Sequence, residues 1–188
     1  MTYSTMFLLT YTPRDGAEDA GYARWIRQVD NPFFNGVPGI MHYSNWRFHE
    51  PSAGARFRYF DFMGLADRSV AESLFARDDV KAFTAKWREL WGRGPKATDL
   101  SVNAEIFLAE RMTAGNAMMR WAAFVAGAAV LPDRGFAGWR IVRGLRSEPS
   151  FKSFATKFLA NAADFDLLPP EIRASAQLAE CFASPDRL

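Results

Sequence analysis

The sequence is poor in the residues that most often announce chemistry. It has one cysteine, Cys181, and two histidines, His42 and His49, in 188 residues. A single cysteine excludes an internal disulfide framework and a cysteine-rich zinc site. There is no charge of one sign to speak of: 23 Lys and Arg face 21 Asp and Glu, a formal net charge of +2. That is too little for a strong electrostatic hold on nucleic acid. Long apolar runs are missing too. The least polar stretch, residues 117–131, contains Arg120 and falls short of the ~20 residues that span a bilayer. No basic segment precedes the apolar residues of the N-terminus, so it lacks the form of a secretory signal. With the unpaired Cys181, this points to a reducing, cytoplasmic setting and away from membranes. Absent as well are a GxGxxG loop opening a helix after a strand, a P-loop, HExxH, GxSxG and CxxC. The expectation is therefore no cofactor and no metal.

What the sequence does have is aromatic rings. Phe, Trp and Tyr make up 15% of the chain, with 17 Phe, 6 Trp and 5 Tyr, within a total apolar content of 49%. With so little net charge, that composition excludes general disorder. A chain of this length buries roughly 70% of its unfolded surface and needs no disulfide or metal staple.

Residues 3–11 are rich in β-branched and aromatic residues and stop at Pro13, which reads as a strand. Residues 17–29 carry apolar side chains near helical spacing, and Pro32 is expected to end or bend that helix. Residues 40–49 and 56–65 read as strands, and 69–91 as one or two helices with a break near Asp78-Asp79. Residues 100–110 supply a fourth strand. The order β-α-β-β-α-β is that of a ferredoxin-like α+β unit. The remainder echoes it. Residues 136–145 look like the third strand, both stretches ending Gly-Leu. A helix is expected over 150–162, and 174–183 resembles the fourth strand through Ala104-Glu105-Ile106-Phe107 and Ala179-Glu180-Cys181-Phe182. Two units are therefore expected: residues 1–112, and 113–188 as a C-terminal extension or a degenerate second unit.

Trp25, Asp30-Asn31-Pro32-Phe33-Phe34 and Val37-Pro38-Gly39-Ile40, followed by the strand Arg56–Leu65, resemble the dimeric α+β barrel superfamily over residues 3–110. The resemblance implies a cavity between sheet and helices. It also implies a homodimer formed by two facing sheets, unless the two halves of this chain pair internally. Its members include cofactor-free monooxygenases, cyclases, isomerases, lyases and haem-dependent enzymes, so the fold does not decide the function.

Period-2 alternation puts Ile40, His42, Ser44, Trp46 and Phe48 on one face of the second strand. His42 among aromatic residues suits a general base, because burial tunes an imidazole across neutral pH. A hydrogen-bonded interior histidine fits the same position. His49 falls near the strand end beside Glu50. On the third strand Phe57, Tyr59, Asp61 and Met63 share a face. Asp61 between Phe60 and Phe62 is expected to have a raised pKa and to act as acid or base, or to orient His42. An ion pair with Arg56 or Arg58 is the alternative. Tyr11 and Tyr59 suit donation to a substrate oxygen. Trp25, Phe33, Trp46 and Trp87 fall on elements that would enclose a cavity, and Asn103 is a further polar candidate.

These residues together suggest a lyase-type enzyme without a cofactor. Its catalytic pair would be His42 and Asp61, and its substrate-binding residues Tyr11, Trp25, Phe33, Trp46, Tyr59, Trp87 and Asn103. The substrate would be a small hydrophobic molecule, aromatic or polyketide-like, and the reaction decarboxylation, elimination or cyclisation. A cofactor-free monooxygenase and a non-catalytic small-molecule or haem-binding protein are the alternatives.

Overall fold

The computed structural model describes residues 3–49, 57–92, 104–127, 135–145 and 148–185. Among these, eight strands close into a barrel: β1 Thr5–Tyr11, β2 Ile40–Phe48, β3 Tyr59–Leu65, β4 Ala104–Thr113, β5 Trp121–Ala126, β6 Ala137–Gly144, β7 Ser153–Leu159 and β8 Ala176–Ala183. The order around the barrel is β1-β3-β2-β8-β5-β7-β6-β4, and every neighbouring pair is antiparallel. The first four strands run β4-β1-β3-β2 and the last four β8-β5-β7-β6. Counted from the start of each block, the two orders are the same. The blocks join along β2–β8 and β4–β6, so the barrel closes within one chain.

Alternation along each strand sends one set of side chains into the barrel and the other outward. The inward set comes from all eight strands and includes Met6, Leu8, Trp46, Phe60, Phe62, Phe107, Phe124, Trp139, Phe154 and Phe158. Ring contacts knit it together: Phe60 meets Trp46, Phe62 and Phe124, and Phe154 stacks on Trp139 and Phe124. Each such ring contributes about 2–3 kcal/mol on burial. Gly64 admits the Tyr3 ring into this interior, since a Cβ there would lie 2.3 Å from Tyr3 Cδ1.

Helices cover the outer face of the first four strands. α1 Tyr22–Trp25, a π-helical turn Ile26–Asp30 and α2 Asn31–Asn35 form one continuous helical run, followed by α3 Arg68–Ser73, a 3-10 turn Leu74–Ala76 and α4 Asp78–Trp91. Asp67 caps α3 by accepting from the N–H groups of Ser69 and Val70. Pro32 does not end the first helix. The run continues to Asn35, and the turn before the proline widens so that the Asn31 N–H donates to Ile26 O, five residues back. Pro32 has no N–H to offer to an ordinary turn, and the π-turn absorbs that loss.

The second block departs from the sequence reading at three points. Residues 150–162 are not a helix: β7 occupies Ser153–Leu159. Phe151, Phe154 and Phe158 mimic helical spacing, but Phe154 and Phe158 point into the barrel while Ala155 and Leu159 face outward. Within residues 136–145, Ala137–Gly144 form β6, the second strand of its block and not the third. β8 Ala176–Ala183 is the fourth strand of its block, as the sequence suggested, but the Ala-Glu pairs are not equivalent: Ala104 begins β4 opposite the last residue of β1, whereas Ala179-Glu180 lie in the middle of β8, with Glu180 opposite the first residue of β5. A 3-10 turn Ala162–Phe165 and α5 Pro170–Arg173 cover this block, Ile172 packing with Ala123, Val125 and Leu159.

Candidate functional site

Asp61 lies at the centre of β3, opposite Leu9 of β1 and Asn45 of β2. All three face outward, under the helices. Tyr11 and Tyr43 are their diagonal neighbours on the same face. The π-turn ends at Asp30 and brings its carboxyl down onto this row from above. Asp30, Asn31, Asn45 and Asp61 are all buried, so none of their polar groups is satisfied by bulk water.

They satisfy one another. The Tyr43 hydroxyl lies 2.9 Å from Asp30 Oδ2 and 2.8 Å from Asp61 Oδ2. Tyr11 donates its hydroxyl to Asp61 Oδ1 at 3.0 Å. Asn45 Nδ2 lies 3.1 Å from Asp30 Oδ2, 3.0 Å from Asp61 Oδ1 and 3.0 Å from the Tyr43 oxygen. Behind Asn45, Asn31 Nδ2 donates to Asn45 Oδ1 at 2.8 Å and to Tyr43 O at 3.1 Å. Asn35 in turn bonds Asn31 and the Tyr43 backbone.

A phenol has one proton, so Tyr43 donates to one carboxyl only. Its contact with the other is a full hydrogen bond when that carboxyl supplies the hydrogen, the state in which the pair holds one proton. Burial raises both groups: Asp30 is pushed up to about 7 and Asp61 well above its ordinary range, the latter also by the charge of Asp30. Hydrogen bonds from Tyr43 and Asn45, with Tyr11 added at Asp61, act in the opposite direction. Burial likewise raises the Tyr11 and Tyr43 phenols, which stay protonated as donors.

Above this network is a cavity between sheet and helices. Asp30, Tyr43, Asp61 and Tyr11 form its polar side; Leu9, Phe34, Phe75, Phe83, Trp87 and Ile106 its apolar walls. Thr84 and Arg88 of α4 line it as well, and the Arg88 Nε donates to Thr84 O at 3.2 Å. Its free volume is about 70 Å³, and it opens to solvent. An apolar cleft with a few convergent polar groups, two of them with perturbed acidity, has the form of a ligand or active site.

Of the residues singled out in the sequence, Asp61, Tyr11 and Trp87 line this cavity. Tyr59 stacks behind Tyr11 with ring centroids 5.6 Å apart. Trp25 and Phe33 stack against Phe83, one step back from the space. Trp46 points into the barrel, where its indole donates to Ser44. Asn103 lies outside the described residues. His42 does not meet Asp61. It pairs with Gly64, which pairs with the inward-facing Met6, so the sheet separates the imidazole from the carboxylate. A bulge between Ile40 and His42 also turns Ile40 outward, off the His42 face. Phe57 likewise leaves the Asp61 face and packs against the barrel interior. His49 is exposed, edge-on to Trp121. Neither imidazole lines the cavity, and Cys181 belongs to the inward cluster. The described residues therefore do not fit a haem in this cavity through His or Cys. No group of three or more His, Cys, Asp or Glu converges among them.

Sequence reasoning missed Asp30, Tyr43, Asn45, Asn31 and Asn35. The alternation of β2 held part of the signal, because Tyr43 and Asn45 form the face opposite His42. Nothing in the helical spacing marked Asp30, whose position depends on the π-turn.

The family model described as REDY-like protein HapK matches residues 5–97. That span holds β1 to α4 and every member of the buried network. Among solved structures, HapK from Hahella chejuensis is 15% identical, covering 60% of this chain and 97% of its own, with a TM-score of 0.43. A candidate monooxygenase from Lactobacillus acidophilus NCFM is 7% identical, covering 96% and 95%, with a TM-score of 0.54. A candidate chlorite dismutase is 11% identical over the same shares, with a TM-score of 0.53. The shared feature is the fold. This chain is an α+β protein built on an antiparallel barrel, as the last two are over nearly their whole length. Among curated proteins no sequence matches it significantly. No helix of the described residues is long and apolar enough to cross a membrane.

Proposed function

We propose that the cavity is the active site of an acid–base enzyme, of lyase type, that takes a small and largely apolar molecule bearing an acidic C–H or O–H group. One observation carries this reading: a single phenol, Tyr43, bridges two buried carboxyls that line one cavity. A carboxylate with its pKa near 7 is matched to proton abstraction at neutral pH, and its protonated neighbour to proton return. Asp30 takes the first part and Asp61 the second. Tyr43 passes the proton between them, and Tyr11 steadies Asp61 from the other side. Phe34, Phe83 and Trp87 hold the apolar body of the substrate. No cofactor is called for, because the pair supplies both acceptor and donor.

Residues 1–112 are taken as the unit that holds the site. Residues 113–188 are taken as a degenerate second unit, a reading supported by the repeated strand order. Its outer face is filled by Leu168 and Ile172, and it serves to close the barrel.

The test uses a model carbon acid, 2-tetralone, in D2O. The protein is expected to speed deuterium entry beside the carbonyl, followed by proton NMR, and Asp61→Asn to abolish that gain. No acceleration, or an unchanged rate in Asp61→Asn, overturns the assignment. Oxygen uptake with a phenolic probe would favour the monooxygenase reading, in which the same base prepares the substrate for oxygen.

A further inference from the structure

The three asparagines behind the carboxyl pair have a direction. An isolated side-chain amide can be turned end for end, and its hydrogen bonds must decide its orientation. Here the decision starts at a group that cannot turn. The backbone N–H of Tyr43 is a fixed donor, and it lies 2.8 Å from Asn35 Oδ1. That holds the Asn35 oxygen toward β2 and its NH2 toward Asn31, where it donates to Asn31 Oδ1 at 3.0 Å. It also reaches the carbonyls of Asn31 and Tyr43, each at 3.0 Å. With its oxygen so occupied, Asn31 turns its NH2 to Asn45 Oδ1 at 2.8 Å. Asn45 is left with only its NH2 to present to Asp30, Asp61 and the Tyr43 oxygen.

We propose that Asn35 and Asn31 are positioning residues that lock Asn45 as a donor and thereby keep the Asp30–Asp61 pair from taking up a second proton. A doubly protonated pair needs an acceptor for its extra hydrogen. If Asn45 turned over, its Oδ1 would be that acceptor. The lock removes the option, so one carboxyl remains a base. Neither Asn31 nor Asn35 touches a carboxyl of the pair in any of these bonds; both act through Asn45. Among the described residues, the ionisable groups that face the pair are Tyr11 from β1, Tyr22 from α1 and Tyr43 from β2, with Arg88 of α4 lining the same cavity. β4 presents only Ala104 and Ile106 to the cavity.

The proposal rests on the reading of the pair as an acid–base unit, but its test does not use turnover. The side-chain carboxyl carbons of aspartate are followed by 13C NMR against pH in the full chain, wild type and Asn31→Leu. Leucine keeps the branched outline of asparagine and removes the lock. The apparent midpoint of the pair is expected to rise by about one pH unit or more, while circular dichroism stays native. An unmoved midpoint in a folded Asn31→Leu overturns the proposal. Should that variant not fold, the wild type decides. The NH2 signals of Asn31 and Asn45 are expected to be protected from D2O exchange, with the Asn45 amide nitrogen shifting at the same midpoint as the carboxyls. Rapid exchange, or an Asn45 signal indifferent to the titration, overturns it. Loss of the catalytic reading alone would leave these titration results intact, so the two failures can be told apart.

Discussion

Asp30 and Asp61, 31 positions apart on a helical turn and a central strand, reach the same atom: the Tyr43 hydroxyl oxygen lies 2.9 Å from one carboxyl and 2.8 Å from the other. Such an arrangement is costly to build, because burial disfavours both charges. It persists because Tyr11, Tyr43 and Asn45 return hydrogen bonds to the pair.

That cost has a sign that can be measured. Asp30 in the folded chain is raised from 3.8 to about 7. Between those values the native state holds a proton that the unfolded chain has released, so its contribution to stability falls as pH rises through this window. Asp30→Asn removes the titration. Relative to wild type it is expected to gain stability between pH 5 and 8, by a few kcal/mol as an order of magnitude. Urea unfolding at the two pH values checks it. A stability difference between wild type and Asp30→Asn that does not change with pH contradicts the buried, proton-holding state.

Tyr43→Phe removes the bridge but keeps the ring against Phe34. Two carboxyls then lose their common partner. A loss of about 1–3 kcal/mol is expected, larger at pH 8 than at pH 5, because the ionised form most needs the donor. Denaturant curves at both pH values measure it.

The two carboxylate-and-histidine assignments separate in one assay. Asp61→Asn is expected to lower deuterium exchange into 2-tetralone by about 100-fold or more. His42→Gln, on the far side of the sheet, is expected to change it less than about 2-fold, within the range of remote substitutions. A large loss in His42→Gln would return the imidazole to the site.

Gly64→Ala tests the barrel interior. The new methyl would meet the Tyr3 ring at 2.3 Å, so Tyr3 must leave the interior or the strands must part. Destabilisation of about 1–3 kcal/mol is expected by thermal unfolding.

Much of the first block was legible because strand alternation is a strong signal when one face packs a barrel. Asp61 and Tyr11 stood on strands legible in this way, and Trp87 on the helix read over residues 69–91. His42 was chosen over Tyr43 and Asn45 because a histidine draws attention, yet all three share one strand, and parity alone does not say which face meets the helices. Asp30 was hidden by Asn31-Pro32, which reads as a helix end. Only the π-turn carries the chain through the proline and lowers that carboxyl onto the sheet. In the second block Phe151, Phe154 and Phe158 carry a helical spacing inside a strand, and only pairing with β5 and β6 decides between the two periods.

Asp30 and Asp61 are expected to share a proton at neutral pH. The most direct measurement is the 13C NMR titration of the wild-type aspartate carboxyls. The expected result is one buried signal with a midpoint near 7 and a second that stays protonated well above the ordinary carboxylate range, both disturbed in Tyr43→Phe. Two signals that titrate together near the ordinary aspartate value of about 4 would contradict it.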